Sequence, residues 1–322
     1  MPDKVNVGFI GCGGNARGHM RTVAGLPNAR LAAVCDMVPE LAKQAAEPYG
    51  AATYTDHRAM LDRGDLHAAY ISIPVHMHGQ PEMDCISRGM PFLVEKPVSR
   101  DMATAKKVAA AVAQKKLITC VGYQLRYCGT VEIARETLAG KTVAMVVGKY
   151  WCGTGRGDAS RWTRQFQKSG GQLLEQATHT IDLMRYLIGE VDTVYTQQAS
   201  RLLHEIDCAD VHCVSFRFQN GVIGSLTTSW CYEPKDWSNA NVLDILYDAD
   251  LLHWTHATVT HTRDGKSEDQ TRPGGSIDAV FVEAVQKGDG SAIRSPYSDG
   301  VKSLAVSLAA IESGIEGAPK KV

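Results

Sequence analysis

The sequence has no excess of either charge. Its 34 Lys and Arg stand against 35 Asp and Glu, a formal net charge of −1 over 322 residues, so no global field draws the chain to nucleic acid or to an anionic membrane, and neither is expected as a partner. No apolar run reaches the roughly 18 to 20 residues that span a bilayer. The opening MPDKVNVGFI also lacks the basic, apolar, small-residue succession of a signal peptide, which makes a cytoplasmic location the expectation. The nine cysteines are odd in number and scattered, without one Cys-x-x-Cys pair; a disulfide framework or zinc ribbon would show clustered spacing, so reduced and mostly buried thiols are expected. His76 with His78, and His253, His256 and His261, lack the Cys or carboxylate companions of a metal site, and no metal is expected. With 44% apolar and 21% charged residues, disorder and fibrous structure are excluded, and the length suits two globular domains.

The first of these is predicted over residues 1–122. Short, continuously apolar runs at Val5–Ile10, Leu31–Cys35, Ala68–Ile73, Phe92–Val94 and Leu117–Val121 alternate with helix-like segments at Asn15–Ala24, Pro39–Ala46, Ala59–Arg63, Pro81–Arg88 and Met102–Lys115. Strands apolar on both faces and separated by helices form a parallel sheet covered on both sides, the doubly wound α/β fold. Between the first strand and the first helix lies Gly11-Cys12-Gly13-Gly14-Asn15-Ala16, the G-x-G-x-x-A form of a dinucleotide fingerprint. In that reading Gly11 permits a tight turn, Gly13 lets the backbone approach a pyrophosphate, Ala16 allows close helix packing, and the helix start around Gly14 and Asn15 offers free N–H groups. Asp36 ends the second apolar run, about 20 residues further on, where a carboxylate would hold a ribose diol. Its charge would repel a 2′-phosphate, and Met37 and Val38 follow instead of Arg, so NAD is favoured over NADP. A strand-end Asp that caps the helix at Pro39 is the plainer use of the same residue.

Three further signatures make the chain resemble the Gfo/Idh/MocA family of NAD(P)-dependent sugar and polyol oxidoreductases. They are Pro74-Val75-His76-Met77-His78, then Glu95-Lys96-Pro97, then Gly170-Gly171 followed by Glu175-x-x-x-His179-x-x-Asp182. The resemblance implies that Pro74, His78, Glu95 and Lys96 face the cofactor. A residue before proline is pushed into extended geometry, which sets Lys96 at the carboxyl edge of its strand, where α/β sheets bind ligands. A lysine there can stabilise an alkoxide as hydride leaves.

Past Gly122 the pattern changes. Thr142–Trp151, Val191–Leu203, Val211–Phe218 and Val222–Trp230 are long and partly alternating, with Val242–Tyr247 and Trp254–Thr262 as extensions. They predict a second, α+β domain over 123–322 with a large, open, mainly antiparallel sheet. Asn220-Gly221 reads as a type I′ hairpin turn. By resemblance, the open sheet face makes a homodimer or homotetramer. A single helix is predicted over Gln172–Ile188, on which Glu175 and His179 are one turn apart. The resemblance gives His179 the role of proton acceptor, for which a group titrating near neutrality is suited. Glu175 stands where the family normally has Asp, so it orients His179 or binds a substrate hydroxyl. Gln124, Arg126 and Trp162 resemble positions that line the nicotinamide or the sugar. The basic stretch Lys149, Arg156, Arg161, Arg164 and Lys168, against only Asp158, reads more simply as a solvated or intersubunit loop than as a site for an anionic sugar.

The expectation is therefore an NAD-dependent dehydrogenase acting on a secondary hydroxyl of a monosaccharide, glycoside or cyclic polyol, with Lys96 and His179 acting on one carbinol. A glycosidase that retains NAD and oxidises transiently is one alternative, and a non-catalytic NAD-binding regulator is another.

Overall fold

The computed structural model describes residues 2–153 and 160–322; Gly155, Arg156, Gly157 and Asp158 of the basic stretch lie outside the described residues. The chain divides into two compact units, Met1–Gly122 with Ser276–Val301, and Tyr123–Gly275 with Lys302–Val322. The first therefore takes in a late segment that the sequence pattern does not assign to it.

In the first unit, β1 (Val5–Ile10), α1 (Gly14–Gly25), β2 (Ala29–Cys35), α2 (Pro39–Ala46), β3 (Ala52–Tyr54), α3 (His57–Leu61), β4 (Ala68–Ile71), α4 (Gln80–Ser87), β5 (Phe92–Val94), α5 (Met102–Lys115) and β6 (Thr119–Val121) follow in order. The six strands pair in parallel as β3-β2-β1-β4-β5-β6. All four β4 residues are buried, as expected of a strand covered on both faces. The order reverses between β1 and β4, which opens a crevice at their carboxyl ends. β3 escaped the sequence reading because it is a three-residue edge strand with no buried residue. Helix starts follow the capping rules: the Asp101 carboxylate accepts the Thr104 N–H ahead of α5, and Asp56 accepts from Arg58 ahead of α3. Phe9 stacks on Tyr70 with ring centres 4.6 Å apart, and Tyr70 meets Phe281 of the late segment edge-on at 5.4 Å.

The second unit is built from α6 (Gly129–Leu138), β7 (Val143–Trp151), α7 (Phe166–Ser169), α8 (Gly171–Glu175), α9 (Thr178–Ile188), β8 (Val191–Ala199), β9 (Val211–Phe218), β10 (Ile223–Ser229), β11 (Asn241–Tyr247), β12 (Asp250–Thr255), β13 (Val259–Arg263) and β14 (Lys266–Gln270). After α10 (Ile277–Lys287), which belongs to the first unit, come α11 (Tyr297–Glu316), whose residues from Lys302 onward are in the second, and β15 (Lys320–Lys321). The nine strands run β14-β13-β12-β11-β7-β10-β9-β8-β15. Among the described residues, only β7 with β10 is a parallel pair in this sheet. In β9 every second residue from His212 to Phe218 is buried, so one face carries the core. On the other, Met145 lies opposite both Ile223 and Leu246, and Leu246 opposite Leu251; with Val147 all five are exposed. No helix among the described residues is long and apolar enough to cross a membrane.

Three sequence readings change here. The predicted strand Trp254–Thr262 is a hairpin, because Thr255 closes a turn by accepting the Thr258 N–H on its hydroxyl. The turn at Asn220-Gly221 is not type I′, which needs positive φ at both residues. Only Gly221 has it, at 90°, and the Phe218 N–H bonds the Val222 carbonyl, which makes a three-residue loop with glycine in the left-handed position. The predicted helix Gln172–Ile188 is broken into α8 and α9. The Gln172 carbonyl takes the amides of both Gln176 (3.0 Å) and Ala177 (2.9 Å), so the ladder slips by one residue.

On the buried face of α9, the Asp182 carboxylate is held by a fork from Arg126 (Nε 2.8 Å, Nη2 2.6 Å) and by the Ser303 hydroxyl at 2.6 Å. Burial pushes the Asp182 carboxyl up, and Arg126 opposes that. Removing one member of a buried pair strands the other charge. Arg126→Met should therefore lower unfolding free energy by about 3 to 5 kcal/mol, and Arg126→Met with Asp182→Leu by clearly less, as read from urea midpoints.

Candidate active site

The turn after β1 is set by one close approach. Gly11 has φ 95°, and a Cβ on it would lie 2.1 Å from the Ser72 carbonyl oxygen at the end of β4. Above the turn, a Cβ on Gly13 or Gly14 would meet no atom within 4 Å, so the ground over the helix start is open. Gly13, Gly14 and Asn15 are exposed and Ala16 is buried, and no side chain caps α1; its first amides are left for a ligand. The half-buried Asp36 accepts the Cys12 N–H on Oδ2 and the Val38 N–H on Oδ1, both at 2.9 Å. A carboxylate has about four acceptor sites, so capacity for a diol remains. The open glycine cradle, bare helix start and fixed carboxylate together fit a dinucleotide.

At the far edge of the same crevice, Glu95 follows β5 and is buried. Its Oε2 accepts the Lys96 N–H at 3.2 Å, and its Oε1 lies 3.0 Å from His19 Nε2. The His19 ring also meets Asp278 Oδ1 through Nδ1 at 2.6 Å. Lys96 itself is half-buried.

In the second unit, His179 is the second residue of α9 and half-buried. The Tyr123 ring stands perpendicular to it with centres 6.4 Å apart, and the Tyr123 hydroxyl lies 3.1 Å from Thr178 Oγ1. His179 lines a cavity of about 480 Å³ together with Gln124, Tyr150, Trp237, Asn241 and His256, and with Trp254 as part of its wall. Trp237 is 55% exposed, while Trp254 is buried and donates from Nε1 to Thr130 Oγ1 at 3.1 Å. Thr180 donates to Asn241 Oδ1 at 2.9 Å, and the Gln176 amide donates to the Tyr150 hydroxyl. Burial pushes the Tyr150 phenol up; the charges of Cys152 and Glu175 add to that. It therefore stays protonated at neutral pH.

Residues 5–123 match the profile described as "Oxidoreductase family, NAD-binding Rossmann fold", and residues 134–261 match the "GFO/IDH/MocA C-terminal domain". The chain belongs to the Gfo/Idh/MocA family. Its first unit is the family's NAD-binding Rossmann domain, and the chain is an oxidoreductase of that family. Levoglucosan dehydrogenase of Pseudarthrobacter phenanthrenivorans is 29% identical over 205 residues, which cover 59% of this chain and 53% of that enzyme. Inositol 2-dehydrogenase of Rubrobacter xylanophilus is 26% identical over 99% of this chain and 94% of its own length. A solved levoglucosan dehydrogenase in complex with NADH shares the fold with a TM-score of 0.89 at 21% identity, over 99% of each chain. GenD2 from gentamicin A biosynthesis, in complex with NAD, does so at 0.86 and 20% identity, over 100% of this chain and 97% of that one.

Within this Gfo/Idh/MocA chain the sequence-predicted residues fall into two groups. Gly11, Gly13, Gly14, Asn15, Ala16 and Asp36 gather at one turn, whereas His179 and Gln124 share the cavity of the second unit. Two residues expected at the ligand are buried and held by protein groups. The Arg126 guanidinium is 3% exposed, committed to Asp182 and stacked over Tyr186 at 4.6 Å. The His78 side chain is 1% exposed, with Nε2 3.1 Å from the Ile73 carbonyl oxygen, so it holds the backbone at Pro74 from beneath. Trp162 opens a short 3-10 turn and does not line the cavity. With the helix broken after it, Glu175 does not sit one regular turn below His179; it ends α8 beside Tyr150. Tyr150, Trp237, Asn241, Trp254 and His256 went unnoticed because they come from strands and loops far apart in sequence. His19 was missed as a polar residue on the buried face of α1, beside Ala16, Met20 and Val23.

Gly11→Ala places a methyl group against the Ser72 carbonyl. NADH titration followed by fluorescence should show affinity reduced by about 100-fold or more, since relief of the clash, at several kcal/mol, displaces the turn.

Proposed function

We propose that the chain is an NAD-dependent dehydrogenase that oxidises a secondary hydroxyl of an uncharged monosaccharide, glycoside or cyclic polyol. The observation that carries this is the cavity at His179. It brings an imidazole together with aromatic walls and neutral hydrogen-bonding groups, and among the described residues no Asp, Glu, Lys or Arg lines it. Such a surface suits a ring compound, with apolar C–H faces against indole and hydroxyls against Asn241, Gln124 and Tyr150. The relatives named above as levoglucosan and inositol dehydrogenases support the same class.

NAD, when bound at the glycine turn, supplies the acceptor for a hydride from the carbinol carbon. His179 accepts the hydroxyl proton on a ring nitrogen and returns it in the reverse direction. The Lys96 ammonium donates to the carbinol oxygen and stabilises the alkoxide as the carbon–hydrogen bond breaks. Glu175 acts at the Tyr150 hydroxyl, which donates to the substrate. The exposed apolar face around Met145, Ile223 and Leu246 is the surface on which a second copy of the chain docks.

Lys96→Ala and His179→Ala should each lower kcat/KM by about 10²- to 10⁴-fold, with NADH affinity nearly unchanged, against whichever member of a panel of sugars, glycosides, uronates and inositols is turned over. Net accumulation of reduced nicotinamide distinguishes a dehydrogenase from a glycosidase that recycles bound NAD. A uronate preferred over its neutral parent would contradict the uncharged pocket. Leu246→Lys should shift the chain to a smaller species in light scattering behind size exclusion; an unchanged mass would place the interface elsewhere.

A further inference from the structure

One buried group that this mechanism leaves unused is His19. It lies on α1, the helix that begins at the glycine turn, and is 4% exposed. Its two ring nitrogens face two different carboxylates, Asp278 Oδ1 at 2.6 Å and Glu95 Oε1 at 3.0 Å. A neutral imidazole carries a single N–H and can donate to only one of them. Only the imidazolium carries an N–H for each of two ionised carboxylates. Burial works against that charge, but the hydrogen bonds to Asp278 and Glu95 outweigh it and raise the pKa from 6.5 to about 10. Tyr70 also stands against the ring, 5.5 Å away between ring centres; its phenol is pushed up by burial and by the Asp278 charge.

The carboxylate that His19 grips on one oxygen is the one that holds Lys96 on the other. Glu95 Oε2 accepts the Lys96 N–H at 3.2 Å. Behind that oxygen stands Gly122, where a Cβ would intrude to 2.7 Å. Glu95 is thus pinned from two sides, and the backbone from which the Lys96 side chain springs is pinned with it. We propose that His19 is a positioning residue for Lys96: its charged ring, anchored on Asp278, fixes the Glu95 carboxylate that orients the Lys96 main chain. This rests on the assignment of Lys96 to the alkoxide. The contacts join α1, the end of β5 and α10, so the helix of the glycine turn and the lysine segment are braced by one cation.

The sign of the pH dependence follows from the raised pKa. The stabilisation from His19 is complete below its ordinary pKa of 6.5 and is lost as pH rises toward about 10. In spectra of the whole chain labelled with ¹³C-histidine and free of cofactor, one imidazole should remain charged well above neutrality, and His19→Gln should remove that signal. Between pH 7 and 10 the thermal midpoint of the variant should fall less steeply than that of the natural chain. In turnover, His19→Gln should lower kcat about 10- to 100-fold while NADH affinity stays close to the natural value. His19→Gln with Asp278→Asn removes one buried, uncompensated charge and guards against a variant that does not fold; it should recover stability and leave kcat low, because Glu95 still lacks its cation. If kcat returns together with stability, or if no histidine stays charged, the proposal is overturned. Turnover lost in Lys96→Ala but intact in His19→Gln also overturns it, and leaves the role of Lys96 standing. Turnover that survives Lys96→Ala removes the catalytic assignment and the positioning role together, whereas the charged ring would still be seen by resonance.

Discussion

The dinucleotide site depends on a contact that forbids a side chain. The Ser72 carbonyl oxygen at the end of β4 occupies the place where a Cβ on residue 11 would lie. Glycine therefore lets the chain turn sharply from β1 into α1 beside the end of β4, and α1 starts at the crevice with no side chain capping its first N–H groups. The fixed Asp36 carboxylate follows from the same turn, since one of its oxygens holds the amide of Cys12, the next residue. The groups that this turn offers a cofactor are thus mostly backbone, with few side chains involved.

Buried charge is handled in the same way in both units, by joining groups far apart in sequence. In the first, His19 meets Glu95 and Asp278. In the second, Asp182 meets Arg126, Ser303 and, at 3.9 Å, Arg185. Ion clusters of this kind add little net stability over apolar packing of equal volume. What they impose is geometry, because a buried charge tolerates few arrangements of its partners. Asp182 belongs to α9, the helix that carries His179, and the His19 cluster holds Glu95, the residue before Lys96. Each of the two proposed reacting groups is therefore backed by a constrained polar network within its own unit.

The cavity at His179 differs in character from the glycine turn. Its walls are indole and phenol rings, and its polar atoms already have neighbours, as Asn241 has Thr180 and Tyr150 has Gln176. Polar groups held in place before a ligand arrives discriminate against one that cannot match them. Neutral donors and acceptors over aromatic faces favour a hydroxylated ring over an ionised one.

The features that local sequence determined are those in which a residue's own chemistry limits the backbone or the burial. They include the alternation of apolar strands and helices in the first unit, the glycine turn with Asp36, the Glu95-Lys96-Pro97 segment and the alternating strands of the second sheet. Tertiary packing alone decided the rest. The slip of the helix ladder at Gln172 divides α8 from α9, and no glycine or proline marks it. The hairpin after Thr255 is closed by a hydroxyl. Arg126 and His78, placed at the site by pattern, are drawn inward by Asp182 and by the Ile73 carbonyl, because an ionised or polar side chain in a dry interior must take whatever partner the fold presents. The return of Ser276–Val301 to the first unit, and with it the pairing of Asp278 with His19 across 259 positions, has no local signature. Spacing along a chain reports periodicity, and only the folded chain brings such distant groups within hydrogen-bonding reach.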